Sequence, residues 1–128
     1  MPESRTCDVL VIGGGPAGAT VSALLARKGH DVVLLDKDHH PRFHIGESLL
    51  PANMALLHEL GVHDAVAAIA VEKRGIEFIS PRHPEPRHVW FKDGWDRSLD
   101  RAFQVPRAGF DEILLRHAAH SGVTVIEG

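Results

Sequence analysis

The sequence predicts an α/β fold with a parallel sheet, on three observations. A β-branched run, Cys7-Asp8-Val9-Leu10-Val11-Ile12, is closed by Gly13, Gly14 and Gly15. Helical periodicity follows over 16–28, where Ala17, Val21, Leu24 and Leu25 recur at three- and four-residue spacing. A second β-branched run over 31–36 ends in a carboxylate, Asp36. Strand, glycine turn, helix and strand make a βαβ unit with a right-handed crossover. Runs this apolar read as strands buried on both faces.

Composition sets the outer bounds. The chain has 128 residues, 44% of them hydrophobic, enough for one modest domain with a core and too apolar for a disordered tail. Fourteen Lys and Arg against seventeen Asp and Glu leave a net charge of −3, which excludes a general nucleic-acid or anionic-membrane surface. No apolar run approaches the ~20 residues of a membrane span. Residues 1–8 lack the charged-then-apolar layout of a secretory signal. The single cysteine, Cys7, makes neither an internal disulfide nor a cysteine-based zinc site. A reducing compartment, the cytoplasm, is therefore expected.

The elements beyond the βαβ unit follow in order. Gly29 suits the left-handed position that ends the first helix. Residues 37–46, with three histidines, Pro41, Arg42 and Phe43, read as a loop. A second helix is expected over 48–60, with Ser48 as N-cap, Pro51 in the first turn and Gly61 as stop. Residues 62–71 are alanine-rich and read as a short helix. A small β excursion is expected next, with strands at 76–79, 88–91 and 101–105 and a hairpin turn at Asp93-Gly94. Trp90 and Trp95 flank that turn as packing residues. A last helix over 109–120 places Phe110, Ile113, Leu114, His117 and Ala118 on one face, and a buried-type strand at 123–126 closes the chain. There is no internal repeat. A sheet that stops after its third strand reads as an incomplete domain spanning residues 1–128.

The strongest chemical signal is Gly13-Gly14-Gly15-Pro16-Ala17-Gly18, a G-x-G-x-x-G run between strand and helix. Gly13 permits the tight turn and Gly15 lets a pyrophosphate approach the backbone. Gly18 lets the helix pack close, and the helix N-terminus offers free N–H groups and partial positive charge. Asp36 ends the second strand eighteen residues after Gly18, where a ribose-binding carboxylate belongs. An acid there disfavours a 2′-phosphate. His39, His40 and His44 with Asp36 and Asp38 lack the paired spacing of a metal site, so a solvated loop is expected and no metal.

A second block, Arg42-Phe43-His44-Ile45-Gly46-Glu47-Ser48-Leu49-Leu50-Pro51, is more specific. With the glycine run and Asp36, it resembles the N-terminal part of the FAD-dependent halogenases. These sit in a broader superfamily with aromatic hydroxylases and geranylgeranyl-reductase-like flavoproteins. The run from Gln104 to Asp111, followed by Leu114-Leu115, is similar to that family's second FAD-contacting segment.

The resemblance implies a Rossmann-like FAD-binding domain. Gly13, Gly15, Pro16, Ala17 and Gly18 would hold the pyrophosphate, and Asp36, with Lys37 beside it, the adenosine ribose. Arg42, Gln104 and Arg107 would line the phosphate and ribityl chain, and Glu47 and Ser48 would lie near the isoalloxazine. Lys73 stands where such halogenases carry a catalytic lysine, which delivers halogen from hypohalous acid to an aromatic or carrier-bound substrate. The bland alternative is a solvated lysine at a strand start. After Gly75 the chain continues Ile76-Glu77-Phe78, where the family commonly has an aromatic residue and glycine. No second G-x-G-x-x-G occurs, so electrons are expected from a partner flavin reductase or from transiently bound NAD(P)H, with the remaining polypeptide of the enzyme as a further partner. Three readings stay open: halogenase, aromatic hydroxylase or isoprenoid reductase of the same superfamily, and a non-catalytic nucleotide-binding module.

Overall fold

A computed structural model describes residues 4–128, and in it β2 (Val32–Asp36) is the centre of a parallel sheet. On one side β1 (Val9–Ile12) pairs in register from Val9↔Val32 to Ile12↔Leu35. On the other, β7 (Thr124–Glu127) pairs from Val33↔Thr124 to Asp36↔Glu127. The chain crosses from β1 to β2 through α1 (Pro16–Arg27), and α4 (Arg107–His120) packs beside α1 before entering β7. The Rossmann-like βαβ unit and its parallel sheet are as expected.

Burial departs from expectation at the first strand. Val32, Val33 and Leu34 of β2 are all buried, so both faces of that strand are covered. In β1, by contrast, Leu10 and Ile12 are 53% and 82% exposed. Among the described residues β1 pairs only with β2, and an apolar run cannot reveal which strand sits at the edge.

The segment after β2 also differs. Ser48 is not a helix cap. Residues 47–49 are extended along β6 (Ala102–Gln104), with Leu49 N–H donating to Phe103 O at 2.9 Å and Val105 N–H to Glu47 O at 2.8 Å. Proline disfavours helical backbone in the residue before it, and α2 (Ala52–Leu60) starts only after Pro51. Gly61 ends α2 with φ +79°, as expected. The helix expected over 62–71 is shorter: α3 (His63–Ala67) gives way to β3 (Val71–Lys73), which pairs antiparallel with β6.

The hairpin is displaced too. It joins β4 (Gly75–Ser80) to β5 (His83–Trp90) through Pro81-Arg82, and the Asp93-Gly94 pair lies in and after a 3-10 turn over Phe91–Asp93. Pro84 and Pro86 argue against a strand at 83–90, yet a two-stranded ribbon leaves half of each backbone unpaired, where proline costs nothing. Trp95 is fully exposed, so it is not a packing residue.

The core lies between the parallel sheet, the three longer helices and β6. From α4 it takes Phe110, Asp111, Leu114, Leu115 and Ala118. Ile113 and His117, expected on that face, are only partly buried, and His117 Nε2 meets Arg27 Nη2 at 2.8 Å. The apolar stripe is rotated because a carboxylate, Asp111, occupies part of it. No helix of the described residues is long and apolar enough to cross a membrane.

Candidate functional site

The glycine turn is built for close approach. Gly13 has φ +106°, a conformation L side chains rarely adopt. At Gly18 a Cβ would stand 1.9 Å from Gly13 O, so only glycine lets α1 sit this near the end of β1. Gly15 is different. It caps α1 with ordinary backbone angles and no side-chain cap, and a Cβ there would meet only Arg42 Nη2 at 3.8 Å. The space a side chain would fill at Gly15 thus lies between a bare helix N-terminus and a guanidinium. An anionic phosphate fits it.

Asp36 is locked into this turn. Its Oδ2 accepts from Gly14 N–H at 2.5 Å and its Oδ1 from Asp38 N–H at 2.8 Å. Burial alone would push its pKa up, but these two amides, with His40 and Arg42 nearby, hold the carboxyl below its ordinary value. It is an anion at neutral pH with lone pairs to spare for hydroxyl donors.

The loop after Asp36 is tied down at two points. Arg42 Nη1 donates to Asp111 Oδ2 at 3.1 Å, and Arg107 grips the same carboxylate through Nε at 2.7 Å and Nη2 at 3.0 Å. Arg107 Nη1 also donates to the carbonyls of Ile45 and Gly46, at 2.8 and 3.3 Å. Hydrogen bonding to Asp111 outweighs desolvation and raises the Arg107 pKa further. Arg107 therefore spends most of its donors clamping the loop to α4. At the second point, Glu127 Oε1 accepts from His40 N–H at 2.7 Å and lies 2.9 Å from His40 Nδ1, while Arg116 Nη1 donates to Glu127 Oε2 at 2.8 Å. These ties use His40 and Glu127 structurally, and no metal-ligating cluster occurs among the described residues.

Gly13, Gly15, Asp36, Lys37 and Arg42 line one groove of about 660 Å³ at the carboxyl ends of β1 and β2. That is where open α/β sheets bind ligands. A larger hollow of about 870 Å³ along β4–β5 touches none of the expected positions and lacks a helix N-terminus, so the smaller groove is the better candidate. Pro16, Ala17 and Arg107 face a neighbouring apolar groove between α1, α2 and α4.

Lys73, Ser48 and Gln104 form a separate cluster. The Lys73 ammonium donates to Ser48 Oγ, and its Nζ lies 5.9 Å from the Phe91 ring centroid. Burial pushes the Lys73 pKa down. Ser48 bridges Gln104 across the ladder, whereas Glu47 turns back to accept from Gly46 N–H at 3.2 Å. Lys73 ends a strand and is partly buried, unlike the solvated strand-start lysine of the bland alternative. Asp111, the buried anion that organises Arg42 and Arg107, is the functional residue the sequence reading passed over. Its signal was the four-residue spacing from Arg107 on a helix.

Comparison with known proteins agrees with this geometry. A family model described as FAD binding domain matches residues 6–128. The chain is 44% identical over 131 residues to a tryptophan 2-halogenase of Chondromyces crocatus, covering 100% of this chain and 23% of that protein. It is 40% identical over 129 residues to the flavin-dependent halogenase rdc2 of Metacordyceps chlamydosporia, with the same coverage. Among solved structures, the myxobacterial chondrochloren halogenase CndH, described as a variant of FAD-dependent halogenases, superposes with a TM-score of 0.89 at 41% identity. That match covers 97% of this chain and 29% of CndH. The chain spans about a quarter of the length of the curated relatives it matches.

Proposed function

The chain belongs to the FAD binding domain family, and from that premise we propose that it is the N-terminal, nucleotide-holding part of a flavin-dependent halogenase. The observation that carries the reading is the pairing, in one small unit, of a pyrophosphate-ready glycine turn with a partly buried lysine held by Ser48 of the 42–51 block. Reduced FAD, with oxygen and halide, supplies hypohalous acid. Gly15 and the first turn of α1 hold the pyrophosphate, with Arg42 opposite. Asp36 accepts the adenosine ribose hydroxyls. Gln104 lines the ribityl chain and Glu47 borders the flavin end.

Lys73 acts on the acid once it is formed. Its lowered pKa leaves a larger fraction of free amine at neutral pH, so Nζ can hydrogen-bond the acid, or take its halogen as the oxygen–halogen bond breaks and the displaced hydroxide leaves as water with a proton from the nitrogen. Either route directs electrophilic halogen to one position of an aromatic or carrier-bound substrate. Electrons come from a partner flavin reductase, and the single cysteine favours the reducing cytoplasm.

The test uses the complete enzyme. Lys73→Ala keeps FAD binding and oxygen consumption but loses halogenated product. Lys73→Arg loses it too, because a guanidinium stays protonated. Mass spectrometry of product made with chloride or bromide reads the outcome. A gain of one oxygen without a halogen isotope pattern, at normal turnover in Lys73→Ala, points to hydroxylation and overturns the proposal.

A further inference from the structure

We propose that Ser48 is a positioning residue for Lys73, holding its nitrogen through both protonation states, and is not itself a flavin contact. The inference rests on the role assigned to Lys73 above. It starts from the ladder. β3 and β6 pair Val71↔Gln104 and Lys73↔Ala102, and Ser48 bridges Gln104 from the other side. Cross-strand partners share a face, so Lys73, Ala102, Gln104 and Ser48 all stand on one side. Phe103 and Val105 alternate to the other side, where they are buried in the core.

Lys73 and Ser48 lie on the two strands flanking β6, opposite Ala102 and Gln104, so their backbones are roughly 12 Å apart: two strand spacings across and two residues along. The lysine spans that distance because the residue directly opposite it, Ala102, carries only a methyl group. Ala102 is fully buried, whereas Gln104, two residues along the same face, is exposed.

The charged groups around Lys73 have other partners. Glu72 pairs with Arg74 at 2.8 Å and Arg101 at 3.4 Å, Asp100 with Arg101 at 2.9 Å, and Asp93 with Lys92 at 3.5 Å. Glu47 accepts from the Gly46 amide, and Asp111 is held by Arg42 and Arg107. Among the described residues Lys73 has no ion pair, so the hydroxyl is its polar partner. A hydroxyl suits a group that must exchange protons: Oγ accepts from an ammonium and donates to a free amine, so the nitrogen stays in place as its proton leaves. A carboxylate could only accept, and would hold the charged form.

Two readouts in the full-length enzyme test this. The first is the pH dependence of Lys73 acylation by acetic anhydride, read by peptide mass spectrometry. The second is halogenated product formed per oxygen consumed. The bond to the charged form is the stronger of the two, so Ser48→Ala should lower the acylation midpoint by about half a unit to one unit. Product per oxygen should fall by about tenfold, about the loss of one hydrogen bond. Ser48→Thr, which keeps the hydroxyl, should restore both to within about twofold. An unmoved midpoint in Ser48→Ala overturns the proposal, as does a product loss that tracks loss of FAD occupancy, since that makes Ser48 a flavin contact. Halogenation that survives Lys73→Ala refutes the lysine's catalytic role instead, and the acylation midpoint still decides whether Ser48 holds it.

Discussion

Two glycines three residues apart should fail in opposite ways when a methyl group is added. At Gly18 the new Cβ would sit 1.9 Å from Gly13 O, where Cβ atoms essentially never come closer than 3.0 Å. The overlap exceeds 1 Å and involves backbone, so α1 must lift away from the end of β1. Alanine's better helix propensity returns only about 1 kcal/mol. Overpacking of this kind costs about 1–3 kcal/mol or more, and displacement of a whole helix lies at the upper end. Gly18→Ala should therefore lower stability by about 2 kcal/mol. At Gly15 the backbone angles are ordinary and the nearest atom, Arg42 Nη2, is 3.8 Å away. Gly15→Ala should leave stability within about 0.5 kcal/mol. Its methyl group, however, stands between the helix N-terminus and Arg42. Losing one charge-assisted hydrogen bond there costs about 1.5–3 kcal/mol, a ten- to hundredfold loss of FAD affinity. Gly15→Val, with a larger branched side chain, should abolish binding. Urea unfolding of the apoenzyme and titration by flavin fluorescence separate the two effects. Wild-type FAD affinity in Gly15→Ala, or unfolding as easy as in Gly18→Ala, would refute the placement of the pyrophosphate.

Two further predictions concern carboxylates. Asp36→Ala removes the acceptor for the ribose hydroxyls and should weaken FAD binding by about ten- to a hundredfold in calorimetric titration, and equal affinity excludes that role. Glu127 is held at a pKa of about 2 against an ordinary 4.5; burial opposes this, but Arg116 and the two His40 donors prevail. Because the folded-state value is depressed, the stabilisation is complete above about pH 4.5 and fades as pH falls toward 2. Glu127→Gln should cost on the order of 2–3 kcal/mol at neutral pH and flatten that part of the acid limb, which unfolding midpoints measured from pH 2 to 6 would show.

What the sequence reveals divides along physical lines. The βαβ unit and its glycine turn are legible because the signals are local: period, punctuation and the i, i+3 or i+4 spacing of α1. The hairpin is misplaced because Asp93-Gly94 is a strong turn signal and Pro84 and Pro86 are strong strand breakers. Neither rule knows that β5 belongs to a two-stranded ribbon. Ser48 looks like an N-cap because serine before a proline-led helix usually is one. Pairing with a strand more than fifty residues away overrides that preference. Within the groove, Gly13, Gly15 and Asp36 are legible from spacing, whereas Lys37 and Arg42 rest on the family resemblance. The Asp111 hub and the Lys73–Ser48 contact depend on long-range packing that no window of sequence contains.

The clamp on loop 37–46 also bears on when the groove comes into being. Arg42 reaches Asp111 across 69 residues, and His40 reaches Glu127 across 87. The glycine turn and Asp36 lie early in the chain, yet the arginine facing them is set by a helix and a strand near position 128. Closing such long loops costs entropy that only the late contacts repay. A ligand bound in the groove stabilises only chains in which those contacts exist. Cofactor occupancy thus reports that those late contacts have formed: a nascent chain shows the motif long before it has the groove.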